Sequence, residues 1–310
     1  MQIHFTKMEG CGNDYIYING FVEQIPQERK KEAVRILSDR HFGVGGDGVI
    51  FINPSRNADF EMEMYNQDGS RAEMCGNGIR CVGKYVYDHG MTSGKETITV
   101  ESFGKVRKLE LFCKDGKAEE ARVNMGKPVL APSEIPVLPS SQNAERVIEE
   151  PICVGGELFR ITCVSMGNPH VVIFLTSADV QKLAKKDSLS FSQGKKDTGD
   201  SFWEMDLSQI GPCIEQNKMF PNKTNVEFVE VLNKKQINMR VWERGSGETL
   251  ACGTGSCASV VAGVLTGRTD RCCEVCLKGG ALKIEWMDSG EIFLTGPARE
   301  CFEGTARIFE

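Results

Sequence analysis

Hydrophobic and polar positions along the chain change period several times. Residues 3–8 read as a strand, and residues 15–19 alternate as a second. Turn formers, Glu9-Gly10-Cys11-Gly12-Asn13-Asp14, separate them. Residues 27–37 have helical spacing, with Ala33, Ile36 and Leu37 predicted on one face. Strand patterns follow at 49–52 and 60–65, then a turn at Asn66-Gln67-Asp68-Gly69-Ser70. A helix is predicted over 79–87, stopping near His89-Gly90, with a pair of strands at 97–100 and 107–112. Residues 128–141 carry four prolines, and the domain boundary is placed there, giving units 1–127 and 128–310. The second half predicts strands at 159–165, 171–175, 237–242, 274–277, 282–286 and 292–294, with another ending the stretch 220–231. A helix is predicted over 257–265, and the polar stretch 182–204, with Lys195-Lys196, reads as a solvated loop.

Both predicted helices follow a similar string. Met74-Cys75-Gly76-Asn77-Gly78-Ile79-Arg80-Cys81 is echoed by Ala251-Cys252-Gly253-Thr254-Gly255-Ser256-Cys257. In each, a cysteine precedes a Gly-x-Gly turn at a helix start, where bare N–H groups favour an anion and lower a thiol pKa. Gly12-Asn13 and Gly167-Asn168 stand 155 residues apart, and Cys75 and Cys252 stand 177 apart. The difference is about the size of the polar stretch. A polar residue, Asn66 or Glu243, lies nine positions before each cysteine. Chance recurrence of Gly/Asn turns would leave the same letters. A true repeat would mean two similar domains facing each other, each offering one cysteine.

Composition narrows the chemistry. The chain has 310 residues, is 40% hydrophobic and 26% charged, and carries a net charge of −6. That is a globular, soluble profile with no basic face for nucleic acid. No run approaches a membrane span and the N-terminus lacks a signal peptide's apolar core, so the cytoplasm is the default. Thirteen cysteines, an odd number, are spread along a long chain and read as reduced thiols rather than a disulfide scaffold. Residues 43–48 fit G-x-G-x-x-G, but a helix precedes and a strand follows, the reverse of a dinucleotide site. Cys273-Glu274-Val275-Cys276 lacks the second ligand pair that structural zinc requires. Cys81 and Cys257, inside the helices, read as packing residues.

Inverting a carbon that bears a hydrogen needs a base on one face and an acid on the other. Two thiols supply both, and helix N-termini hold the carboxylate of the carbanion. With this chemistry in view, the chain resembles the diaminopimelate epimerases. The matching letters are Lys7-Met8, Gly10-x-Gly12-Asn13-Asp14, Asp39-Arg40-His41 and Asn66-x-Asp68-Gly69-Ser70. They continue through both cysteine strings, Met166-Gly167-Asn168-Pro169-His170, Thr224-Asn225-Val226, Glu243-Arg244-Gly245 and Thr295-Gly296-Pro297-Ala298.

The resemblance implies an α+β fold of two similar lobes, each a mostly antiparallel sheet or barrel wrapped round a central helix. The active site would lie in the cleft between them, and the final strand would return to the first lobe. It implies cofactor-independent, metal-free epimerisation of LL-diaminopimelate to the meso form, with Cys75 and Cys252 as acid and base and His170 and Glu243 assisting. Asn13, Asn66, Asn168, Asn225, Glu243 and Arg244 would bind substrate. Gly76, Asn77, Gly253 and Thr254 would present backbone N–H groups to the reacting carboxylate. A homodimer is implied. Glu9 stands where histidine is common in the family and Tyr15 where phenylalanine is, and the polar stretch from Lys182 is longer than expected. The competing readings are a racemase of another amino acid, a thiol redox or metal-binding protein, and a nucleotide-binding module on residues 43–48.

Overall fold

The computed structural model describes residues 1–72, 74–141, 143–185 and 201–309. Most of the polar stretch, including Lys195 and Lys196, lies outside them. The chain divides into two compact units, Met1–Met125 with Leu294–Glu310, and Gly126–Phe293.

The first unit holds β1 (Gln2–Gly10), β2 (Asn13–Asn19), α1 (Lys30–Ser38), β3 (Gly48–Asn53), β4 (Phe60–Asn66), α2 (Gly76–Asp88), β5 (Thr97–Ser102), β6 (Lys105–Lys114) and β7 (Lys117–Gly126). The second holds β8 (Glu150–Val154), β9 (Glu157–Ser165), β10 (Pro169–Phe174), α3 (Ser177–Lys185), α4 (Ser201–Glu204), α5 (Gly211–Glu215), β11 (Asn225–Asn233), β12 (Gln236–Glu243), β13 (Gly247–Thr249), α6 (Gly253–Leu265), β14 (Cys272–Leu277) and β15 (Gly280–Trp286). β16 (Ile292–Pro297) carries the chain back to the first unit, where β17 (Arg299–Arg307) pairs antiparallel with β1.

The two units repeat one plan. In the first, β1–β2 is antiparallel, β2–β3 parallel, β3–β4 antiparallel, β4–β5 parallel and β5–β6 antiparallel. In the second, β9–β10, β10–β11, β11–β12, β12–β14 and β14–β15 run through the same sequence of directions. Each unit is thus a mixed sheet, and its long helix enters between the fourth and fifth strands of the series. Both helices have 13 residues. The faint sequence repeat is therefore structural.

Side-chain alternation sorts each sheet into two faces. Val49 and Phe51 of β3 join Ala33, Val34 and Leu37 of α1 in one core cluster. The helix α1 presents Val34 rather than the predicted Ile36, which is 37% exposed. Its apolar face is centred on Ala33, Val34 and Leu37, which leaves Ile36 at the margin. Ile50 points to the opposite face, against α2. In the second unit Val171, Ile173, Val226 and Phe228 share an outer core with residues of α3 to α5. His170 and Glu227 consequently turn toward the α6 face. That helix is buried on nearly all sides, and its Gly, Ala and Ser positions let the sheet close in. Val260 and Val261 are fully buried, each contributing about 1.5–3 kcal/mol.

A buried ion pair ties α1 to β4. Glu63 accepts from Lys30 Nζ at 2.5 Å and Tyr65 Oη at 2.7 Å. Burial alone would raise its pKa, but these donors outweigh it and hold the carboxyl at about 2. The ionised form is therefore the one that the fold favours. Its contribution is complete above the ordinary carboxylate range and is lost as pH falls from about 4.5 to about 2. The size is on the order of 3 kcal/mol. Urea titrations at pH 7 and pH 3 should show Glu63→Gln flattening this part of the acid loss.

Candidate active site

Each central helix begins immediately after its cysteine, three or more residues before the sequence pattern places it. Glycines that read as a turn are in fact the first helical residues. Cys75 is the N-cap of α2, with φ −128° and ψ 118°, and Cys252 that of α6, with φ −131° and ψ 112°. Each sulfur accepts from the N–H three residues on, Gly78 at 3.3 Å and Gly255 at 3.4 Å. The thiol does the work that serine or aspartate does at ordinary helix starts.

Space is tight at both of these glycines. A Cβ on Gly78 would lie 2.8 Å from Ile50 Cδ1, and one on Gly255 would lie 2.7 Å from Glu227 Oε1. Alanine in an open helix site would add up to about 1 kcal/mol. Gly255→Ala should instead cost about 1–3 kcal/mol, read as a lower urea midpoint.

In the first unit, Cys75 Sγ donates to Asn13 Oδ1 at 3.1 Å. Asn13 in turn donates to Asp47 at 2.6 Å. Asp47 also receives Arg40, which bridges to Asp14, itself paired with Lys7. This charged cluster fixes the β1–β2 turn that presents Asn13. Gly76 and Asn77 form the first turn of α2, and the Asn77 side chain points inward to accept from Arg80 at 2.9 Å. Asn66 is exposed at the end of β4, and its amide donates to Ser70 Oγ at 3.0 Å.

In the second unit, Cys252, Gly253, Thr254, Asn168, His170 and Glu243 come together. Thr254 Oγ1 lies 3.4 Å from Cys252 Sγ and accepts from Asn168 Nδ2 at 3.3 Å. His170, with no exposed surface, places Nε2 3.0 Å from Asn168 Oδ1 and Nδ1 2.7 Å from Glu227 Oε1. Glu243 accepts from Thr249 Oγ1 at 2.5 Å. Asn225 accepts from the Arg244 backbone N–H at 2.9 Å and donates to Pro169 O at 3.0 Å. This pins the exposed Arg244, whose guanidinium donates to Asn222 O at 3.2 Å.

Electrostatics here run against the expectation of an easily ionised thiol at Cys252. Burial, then the carboxylates of Glu243 and Glu227, push its pKa well above 9, outweighing Thr254 and the Gly255 N–H. Burial likewise raises Glu243. The helix terminus is the weaker influence inside a dry, carboxylate-lined site. These influences favour the thiol form of Cys252, the form that can give up a proton.

Sequence reading passed over Glu227. Its signal was a carboxylate flanked by Val226 and Phe228 just after Asn225, two positions along the strand. The G-x-G-x-x-G letters at 43–48 lie between α1 and β3, the wrong order for a dinucleotide site. Cys272, Cys273 and Cys276 lie on β14. Among the described residues, His89, Glu300 and Glu303 have ligand atoms within 4.8 Å of one another, with His89 at the opposite end of α2 from Cys75. A cavity of about 520 Å³ in the first unit, lined by His4, Tyr17, Tyr85 and His89 among others, includes neither thiol.

The fold is shared with solved structures. The phenazine biosynthesis protein of the PhzF family from Bacillus anthracis superposes with a TM-score of 0.69 at 15% identity, over 99% of this chain and 100% of that one. A hydroxyproline epimerase from Agrobacterium vitis gives 0.62 at 13% identity, over 98% and 91%. At such identities the likeness is one of fold. Sequence goes further. The family model for diaminopimelate epimerase matches residues 5–131 and 162–301. Diaminopimelate epimerases from Acetivibrio thermocellus and Leptospira biflexa are 47% and 46% identical, each over 99% of this chain and 100% of theirs. One from Methanococcus maripaludis is 47% identical over 98% of this chain and 99% of its own. The chain belongs to the diaminopimelate epimerase family.

Proposed function

We propose that this isomerase interconverts LL- and meso-2,6-diaminopimelate by proton transfer between two thiols, in lysine and peptidoglycan precursor synthesis. The observation that carries the reading is the pair of cysteines capping equivalent helices at nearly equal backbone angles. In the reactive form Cys75 has given up the proton that it donates to Asn13, and as thiolate it takes the α-proton. The resulting carbanion delocalises into its carboxylate, which the N–H groups of Gly76, Asn77, Gly253 and Thr254 hold. Cys252 returns a proton to the opposite face, and the two sulfurs have then exchanged protonation states. Protons balance with no group besides the thiols, so the reading needs no cofactor and no metal.

His170 and Glu243 assist beside Cys252. Asn13, Asn66, Asn168, Asn225, Glu243 and Arg244 hold the substrate, largely at its non-reacting end. Arg244 with several asparagines suits a second amino-carboxylate group. The reading is completed by a homodimer in the cytoplasm with no membrane partner and no nucleic-acid partner, the last supported by the net charge of −6. Among the described residues, no helix is long and apolar enough to cross a membrane.

Turnover of LL-diaminopimelate should exceed that of single-ended amino acids such as proline or histidine by at least about 10³-fold in kcat/KM, the scale expected when buried polar partners are left unmet. Equal turnover of proline would overturn the substrate assignment.

A further inference from the structure

A chain of side chains runs from Glu227 to the sulfur of Cys252, entirely within the second unit. Glu227 Oε1 meets His170 Nδ1 at 2.7 Å, and His170 Nε2 meets Asn168 Oδ1 at 3.0 Å. Asn168 Nδ2 meets Thr254 Oγ1 at 3.3 Å, and Thr254 Oγ1 meets Cys252 Sγ at 3.4 Å. Glu227 and His170 have no exposed surface. The other carboxylate oxygen of Glu227, Oε2, is buried without a hydrogen-bond partner among the described residues. A carboxylate this poorly satisfied is costly unless its one partner carries a proton toward it. The equivalent place in the first unit is Ile50, which lies under Gly78 as Glu227 lies under Gly255. The carboxylate is thus a departure from the repeat, confined to the half that carries His170.

We propose that Glu227 is a positioning residue that keeps a proton on Nδ1 of His170, so that Nε2 is the nitrogen that gains or loses one. Its state is passed through Asn168 and Thr254 to the hydrogen bond made by Cys252. With Nε2 protonated, the Asn168 oxygen faces the ring and its amide nitrogen donates to Thr254. The Thr254 hydroxyl hydrogen is then free to point at the sulfur, which favours thiolate. With Nε2 bare, the amide turns over and donates to the ring. Its oxygen takes the Thr254 hydroxyl hydrogen, and Thr254 accepts from the S–H. The charge on the ring and the proton on the sulfur are therefore opposed in sign of preference. The titratable groups that bear on His170 are Glu227 on β11, Glu243 at the end of β12 and Cys252 at the head of α6. Cys163, on the adjoining β9, is kept a thiol by burial.

The inference rests on the epimerase reading only for its kinetic consequence. The direct test is imidazole ¹⁵N NMR of the full-length labelled protein from pH 5 to 9. The chain has four histidines, and loss of one signal in His170→Gln assigns the ring. The expected result is a proton on Nδ1 throughout. In Glu227→Gln, that preference should be lost, kcat should fall by about tenfold or more with KM changed little, and the acid limb of kcat/KM should move. A bare Nδ1 in the unmodified protein overturns the proposal, as does an unchanged ring in a folded Glu227→Gln protein. Should that variant fail to fold, the unmodified protein alone decides. If the unmodified protein does not turn over diaminopimelate, the functional reading fails while the ring measurement still judges this inference.

Discussion

Cys75→Ala and Cys252→Ala should each lose about 10⁴-fold in the rate of epimerisation, the upper end for one general acid or base. The loss is this large because the reaction needs both faces: either sulfur alone can move a proton on and off one side without inverting the centre. Each variant should keep its fold. A thiol is a weak acceptor, and the cap distances of 3.3 and 3.4 Å are long, so the helix start loses little. Circular dichroism and urea midpoints close to the unmodified protein would establish this. A single variant that retains full epimerase activity contradicts the two-thiol scheme. Alkylation of either cysteine should inactivate, and substrate should protect.

The second large effect is on stability. Arg80 has no exposed surface. Its guanidinium donates to Pro297 O at 3.1 Å, Gly76 O at 3.1 Å and Asn77 Oδ1 at 2.9 Å, and reaches Cys11 Sγ at 3.8 Å. It thereby joins the first turn of α2, the β1–β2 turn and the end of β16, all within the first unit. Arg80→Leu leaves several buried carbonyls without donors and should cost about 3–5 kcal/mol. The expected reading is a large drop in the urea midpoint, with a smaller drop for Arg80→Lys. A change under about 1 kcal/mol would mean that the carbonyls find water or other donors.

Arg80 also shows what a sequence conceals. Within the string Met74 to Cys81 the cysteine is conspicuous, and nothing in the letters marks the arginine for a separate role. Only the fold reveals that it points inward. The same holds for Glu227, whose partner His170 lies 57 positions away in the chain and meets it only through the parallel pairing of β10 with β11. What was legible was local or repeated: strand alternation, the Asn and Gly turns, and the two cysteine strings. The helix starts were misplaced because glycine has poor helix propensity. Here it is chosen for close approach to Ile50 and Glu227. The ease of ionising Cys252 was misjudged for a related reason. The helix dipole is legible in sequence, whereas burial and the converging carboxylates of Glu227 and Glu243 are not. β7 escaped notice because its exposed, charged residues mask a weak alternation, and β8 because it is short and its outward positions are Pro151 and Cys153.

The central claim is that two different sulfurs serve the two faces of one carbon. The most direct test is early turnover of LL-diaminopimelate in heavy water, with both the product and the recovered substrate analysed for α-deuterium. Two monoprotic thiols predict deuterium at the inverted carbon of the meso product and none in the recovered substrate. Protium retained in the product, or deuterium appearing equally in both, would mean that one group handles both faces, and the account would be wrong.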